Sequence, residues 1–169
     1  MAKKYKKSEV TELLVAMERK AKQVLSMVQN IETDANKNSY AMYDDFVRRA
    51  MDFDTLAILV GTRLQNMELD ADSTQELRDQ YNKLKIVVAH GQIKASMKFF
   101  FILSATATLP LGAKDLFSSE LRRLFNLQTE LANPKYEGML SKETMGDLET
   151  AELILQEIID KAPGLLNFS

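Results

Sequence analysis

The sequence predicts an all-α protein, an antiparallel bundle of four to five helices whose first two are long and form a hairpin. Two observations predict it. Breakers are scarce, with only 3 Pro and 6 Gly in 169 residues, too few for the many turns of a sheet protein. Apolar residues also recur at alternating spacings of four and three, which keeps one stripe facing a partner over many helical turns.

The first helix is expected from Ser8, whose hydroxyl can cap the first turn. Its stripe is Val10, Leu14, Met17, Ala21, Val24, Val28 and Ile31, widened by Leu13, Ala16 and Met27 to the breadth a helix with several neighbours needs. Asn36-Lys37-Asn38-Ser39 reads as a turn. The second helix then runs from about Tyr40 to Met67 through Met42, Phe46, Ala50, Phe53, Ala57, Val60 and Leu64. Each arm of the hairpin should be roughly 35–40 Å long.

Ser73-Thr74-Gln75-Glu76 has the form of a capping box and opens the third helix. That helix carries Leu77, Tyr81, Leu84, Val88, Gly91, Ala95 and Ile102 on one face. Gly91 and Ala95 permit a close helix approach; alternatively the helix breaks at Gly91, since glycine costs about 1 kcal/mol there. Thr108-Leu109-Pro110-Leu111-Gly112 is the clearest breaker. A fourth helix follows from about Lys114 to Ala132, through Phe117, Leu121, Leu124, Gln128 and Leu131, and Asn133-Pro134 ends it. A fifth runs from about Ser141 to Lys161 through Met145, Leu148, Ala151, Leu155, Ile158 and on to Ala162. The expectation is one domain over residues 1–169, with a basic N-terminal tail at 1–7 and an apolar C-terminal tail at 163–169.

Composition narrows the function classes. A net charge of −2 gives no strong nucleic-acid signal, and Arg48-Arg49 and Arg122-Arg123 read as solvated helix faces. With no Cys and no signal-peptide pattern, a reducing cytoplasm is the expected compartment. Residues 99–113 carry no charge, but fifteen residues fall short of the roughly 20 that span a bilayer.

The single histidine, His90, is the first place to look for chemistry. Ala89-His90-Gly91 resembles the histidine step of the HEPN helical-bundle ribonucleases. In that family an arginine five residues earlier, followed by a polar residue, completes the RNA-cleaving site. The resemblance implies a ribonuclease, or an inactive relative, centred on His90 with Lys85 in the arginine's place. Lysine lacks the planar fork of arginine, and the next residue, Ile86, offers no hydrogen bond. Four-helix phosphorelay domains instead place lysine three residues after the histidine and glycine next; here those positions are Ile93 and Lys94. The favoured expectation is a structural histidine between helices, because its neighbours Val87, Val88, Ala89 and Gly91 cannot orient an imidazole.

No metal or cofactor is expected. Val87 stands where a Glu-x-x-His pair needs its carboxylate, and Glu149 and Glu152 read as solvated surface. Asp70-Ala71-Asp72-Ser73-Thr74 lacks the glycine of a calcium loop. Gly112-Ala113-Lys114 lacks the rest of a phosphate loop.

Nine methionines and the run Phe99-Phe100-Phe101 are the unusual features. Methionine-rich surfaces repack around varied partners, and three consecutive aromatics cover about 200° of a helix, more than one face hides. The leading expectation is a non-enzymatic interaction module: an adaptor, a chaperone-like binder or an oligomeric scaffold. Its partner would be another protein or a second copy. The residues expected to meet that partner are Met97, Phe99, Phe100, Phe101, Leu165, Leu166 and Phe168. A membrane-associated bundle inserting residues 99–111 is the remaining alternative.

Overall fold

A computed structural model describes residues 4–33, 39–68, 70, 72–104 and 113–161. The protein is all-α, with five α-helices among the described residues: α1 (Lys7–Thr33), α2 (Ser39–Gln65), α3 (Gln75–Ser104), α4 (Ala113–Leu131) and α5 (Lys142–Lys161). Among the described residues the one departure is an isolated bridge between Tyr5 and Met67. The expected turn at 34–38, the breaker at 105–112 and the tail at 163–169 lie outside the described residues. The chain gathers into two compact units, Met1–Val88 and Ala89–Ser169, with α3 contributing to both.

In the first unit α1 and α2 pack along their lengths as a hairpin, each 27 residues and so about 40 Å long. The backbone N–H of Tyr5 donates to Asn66 O at 3.0 Å, and that of Glu68 to Tyr5 O at 3.1 Å. These bonds bring the entry to α1 beside the exit of α2, as an antiparallel pair requires. The Arg63 guanidinium lies over the Tyr5 ring at 4.6 Å, so the expected basic tail is tied down at Tyr5.

All seven stripe residues of α1 are buried, as are Phe46, Ala50, Phe53, Ala57, Val60 and Leu64 of α2 and Met67 just beyond its end. On α2 Met42 is only half-buried, and its neighbour Tyr43 takes the core position, its ring 5.5 Å from Phe46. Tyr81 of α3 donates its hydroxyl to Ala57 O at 3.1 Å. The absence of a side chain at Gly61 makes the room: a Cβ there would stand 2.7 Å from that hydroxyl.

Two helix starts differ from expectation. Ser8 lies inside the first turn of α1, and the backbone N–H of Lys6 donates to Glu9 Oε2 at 2.9 Å. That is the returning half of a capping box, displaced two residues upstream. Helix α3 starts at Gln75, one residue later than a Ser73 cap implies. Buried Thr74 precedes it and takes Arg78 Nε on its hydroxyl at 3.1 Å.

In the second unit α3 continues unbroken through Gly91. None of residues 89–100 is exposed, so neighbours cover this stretch on several sides. Gln92 and Ser96 bond to α4, whereas His90 and Lys94 bond to α5. The two pairs are offset by two residues, about 200° round the helix. Phe99 and Phe100 enter the core, Phe100 and Phe117 meeting edge to face with ring centres 5.5 Å apart.

Arg123 corrects the reading of its doublet as solvated. It is mostly buried, donates to Gln92 Oε1 and lies 3.8 Å from the buried Glu120 carboxylate, which Ser96 Oγ also reaches at 3.1 Å. On α5 the expected stripe is out of phase at its first position. Thr144 is buried at 3% exposure, and Met145 stands 46% exposed.

Candidate functional site

Helix α5 begins where Ser141 caps it: Ser141 Oγ accepts the backbone N–H of Thr144 at 3.1 Å, the usual geometry of a serine cap. The cap fixes the phase of the first two turns, so Glu143, Thr144 and Asp147 share the face turned to α3. His90 lies against them. Its Nε2 is 2.6 Å from Asp147 Oδ2, and its Nδ1 is 3.2 Å from Thr144 Oγ1, which is in turn 2.9 Å from Ser141 Oγ. One turn along α3, Lys94 Nζ meets Glu143 Oε1 at 2.5 Å. Two residues a turn apart on α3 thus face two residues a turn apart on α5, in reverse order.

The Lys94 ammonium, by hydrogen bond and by charge, holds the Glu143 carboxyl below its ordinary range; slight burial opposes it, and His90 adds a smaller pull in the same direction. His90, Glu143 and Asp147 each bring one nitrogen or carboxylate oxygen within 4.8 Å of the others, close enough to share a cation.

Serine, threonine, histidine and aspartate in series resemble the parts of a nucleophilic triad, but the order differs. In a triad the hydroxyl sits on Nε2 and the carboxylate on Nδ1; here they are exchanged, and Thr144 is too buried to meet a substrate. With both ring nitrogens engaged, His90 joins α3 to α5 and has no nitrogen free for a reacting proton. The sequence offered no partner for this imidazole because both partners come from α5, 54 and 57 residues away. A signal was present: a threonine and an aspartate three apart, just after a serine with capping position. Lys85 does not join the site. Its ammonium lies over the Tyr81 ring at 5.9 Å, and five residues place it about 140° round the helix from His90.

A second feature lies at the other side of α5. The connection from α4 folds tightly: Asn133 Oδ1 accepts Lys135 N–H at 3.0 Å and caps a three-residue 3-10 turn, Pro134–Tyr136. Gly138 then takes φ +76°, a left-handed conformation that glycine adopts without strain. Tyr136 is buried and donates to Glu130 Oε1 at 3.1 Å. Between this connection and α5 runs an apolar groove of about 430 Å³ lined by Leu131, Pro134, Tyr136, Leu140, Met145 and Leu148, with Asn133 and Glu137 as its polar groups.

Of the residues expected to meet a partner, Phe99 and Phe100 are core and Met97 is half-buried. Phe101 stays at the surface, 66% exposed, with Lys98 Nζ 5.4 Å from its ring centre. Leu165, Leu166 and Phe168 lie outside the described residues. Among the described residues no helix is long and apolar enough to cross a membrane. The chain matches no known protein family, no curated protein and no solved structure.

Proposed function

We propose that the chain is a non-enzymatic interaction module that receives an amphipathic helix of a partner protein in the groove between the 132–141 connection and α5. The observation that carries this reading is the groove itself, about 430 Å³ and lined mainly by apolar side chains, the kind of surface into which an amphipathic helix lays its apolar face. Its walls are apolar, with Tyr136 and Leu131 buried behind them, and Met145 lines it while remaining 46% exposed. A flexible thioether at such a place adapts to different apolar side chains. The capped 3-10 turn and the left-handed Gly138 hold the groove open in advance, so little ordering is lost on docking. The single histidine supports the same reading, since both its ring nitrogens are already engaged.

The test is selection from a library of amphipathic helical peptides, followed by methyl NMR with labelled methionines. Selected peptides should shift the Met145 methyl and leave that of Met51, on α2, in place; Met145→Glu should abolish binding without loss of helix. If no peptide is selected, or if the shifts fall away from Met145, the module reading fails.

A further inference from the structure

We propose that His90, Glu143 and Asp147 form a binding site for one first-row divalent cation of the zinc type. The donors are one imidazole nitrogen and two carboxylates, all within 4.8 Å of one another. That mixed nitrogen and oxygen set suits Zn²⁺, Mn²⁺ or Co²⁺ better than Ca²⁺, which takes six to eight oxygens. Three protein ligands leave further positions for water, and solvent is at hand because the Glu143 side chain is 66% exposed.

Placement of the ligands favours one cation. Glu143 and Asp147 stand one turn apart on α5 and present their carboxylates side by side. His90 points Nε2 at them because Nδ1 is held from behind by Thr144, itself bonded to the capping Ser141. Metal-bound histidines are oriented in this way, through a hydrogen bond on the ring nitrogen away from the ion. The hydroxyl pair can serve either protonation pattern. With the ion on Nε2, the ring proton sits on Nδ1 and goes to Thr144 Oγ1, while the Thr144 hydroxyl turns to Ser141 Oγ. Neutral His90 then moves its one proton from Nε2 to Nδ1 through solvent; a protonated ring releases one.

Lys94 is the rival. Its ammonium occupies the Glu143 carboxylate, and a divalent ion must displace it. The proposal is independent of what the groove binds.

The test is titration of the full chain, stripped of metal, with Co²⁺ followed by its visible absorption, and with Zn²⁺ in competition. Wild type should take up one equivalent and melt at a higher temperature when loaded. Glu143→Gln changes an exposed residue and should keep the fold while losing the saturable site; His90→Gln should lose it too. Thr144→Val should bind about 10- to 100-fold more weakly, and Lys94→Gln should bind more tightly, its competing charge gone. Absence of one-equivalent uptake by wild type, or uptake at full strength in Glu143→Gln, overturns the proposal.

Discussion

Replacing Arg123 by methionine tests whether the charge pair inside the second unit is truly desolvated. Glu120 is 1% exposed, and its carboxylate has the Arg123 guanidinium at 3.8 Å and the Ser96 hydroxyl at 3.1 Å. Arg123→Met strands a carboxylate in the core, which costs about 3–5 kcal/mol out of a total stability of about 5–15. Glu120→Met should cost less, about 2 kcal/mol, because the guanidinium it strands still reaches solvent at one edge. Making both changes removes the stranded charge in either direction. What remains is one lost hydrogen bond each at Ser96 and Gln92, about 1 kcal/mol apiece. The double variant should therefore be more stable than Arg123→Met alone, with a coupling energy of about 3–5 kcal/mol. Urea denaturation followed by far-UV circular dichroism measures all four corners of the cycle. Single-variant losses that simply add, to within about 0.5 kcal/mol, would show that water screens this pair and would refute the argument.

Val24→Asp and Phe53→Asp should each unfold the hairpin or nearly so, since both side chains are buried mid-stripe and an unpaired buried carboxylate costs several kcal/mol; wild-type melting in both variants would contradict the packing. Lys94 holds the Glu143 carboxyl below the ordinary value of 4.5, so the pair's stabilisation is present above pH 4.5 and lost as pH falls below it. The melting temperatures of wild type and Glu143→Gln should differ at neutral pH and converge in acid, and a gap that widens in acid would reverse the assignment. His90→Gln should lower thermal stability and leave groove binding intact. An RNA-cleaving or phosphate-accepting activity that disappears with His90 alone would instead make that histidine catalytic.

The hairpin was legible in the sequence because each of its helices hides one stripe. Val10 to Ile31 and Phe46 to Met67 repeat at four and three with hardly a polar intrusion, and the burial follows residue for residue. From Ala89 onward the signal fades for a physical reason. A helix segment covered on opposite sides, as Gln92 and His90 show, has no single apolar face to announce. Hydropathy placed the start of α5 correctly but misassigned its first core position, choosing Met145 over Thr144. Threonine is buried there because its hydroxyl already has partners in Ser141 and His90, and no local pattern encodes a bond to a residue 54 positions away. The same distance hid the site: His90 was visible, Asp147 and Thr144 as its partners were not. The nine methionines and the run Phe99-Phe100-Phe101 were visible as anomalies, but which of them face outward depended on packing that places Phe100 against Phe117.

Gly61 and Tyr81 have a consequence for how sequences of this kind can drift. The phenol hydroxyl rests on Ala57 O, one turn before the glycine, and even a methyl at position 61 would come within 2.7 Å of it. Position 61 is then not free to vary alone. An alanine at 61 becomes tolerable when position 81 loses its oxygen, since the next nearest ring atom lies at 3.2 Å, a distance small adjustments relieve. Relatives of this chain should therefore show a larger residue at 61 only where 81 has become phenylalanine or something smaller.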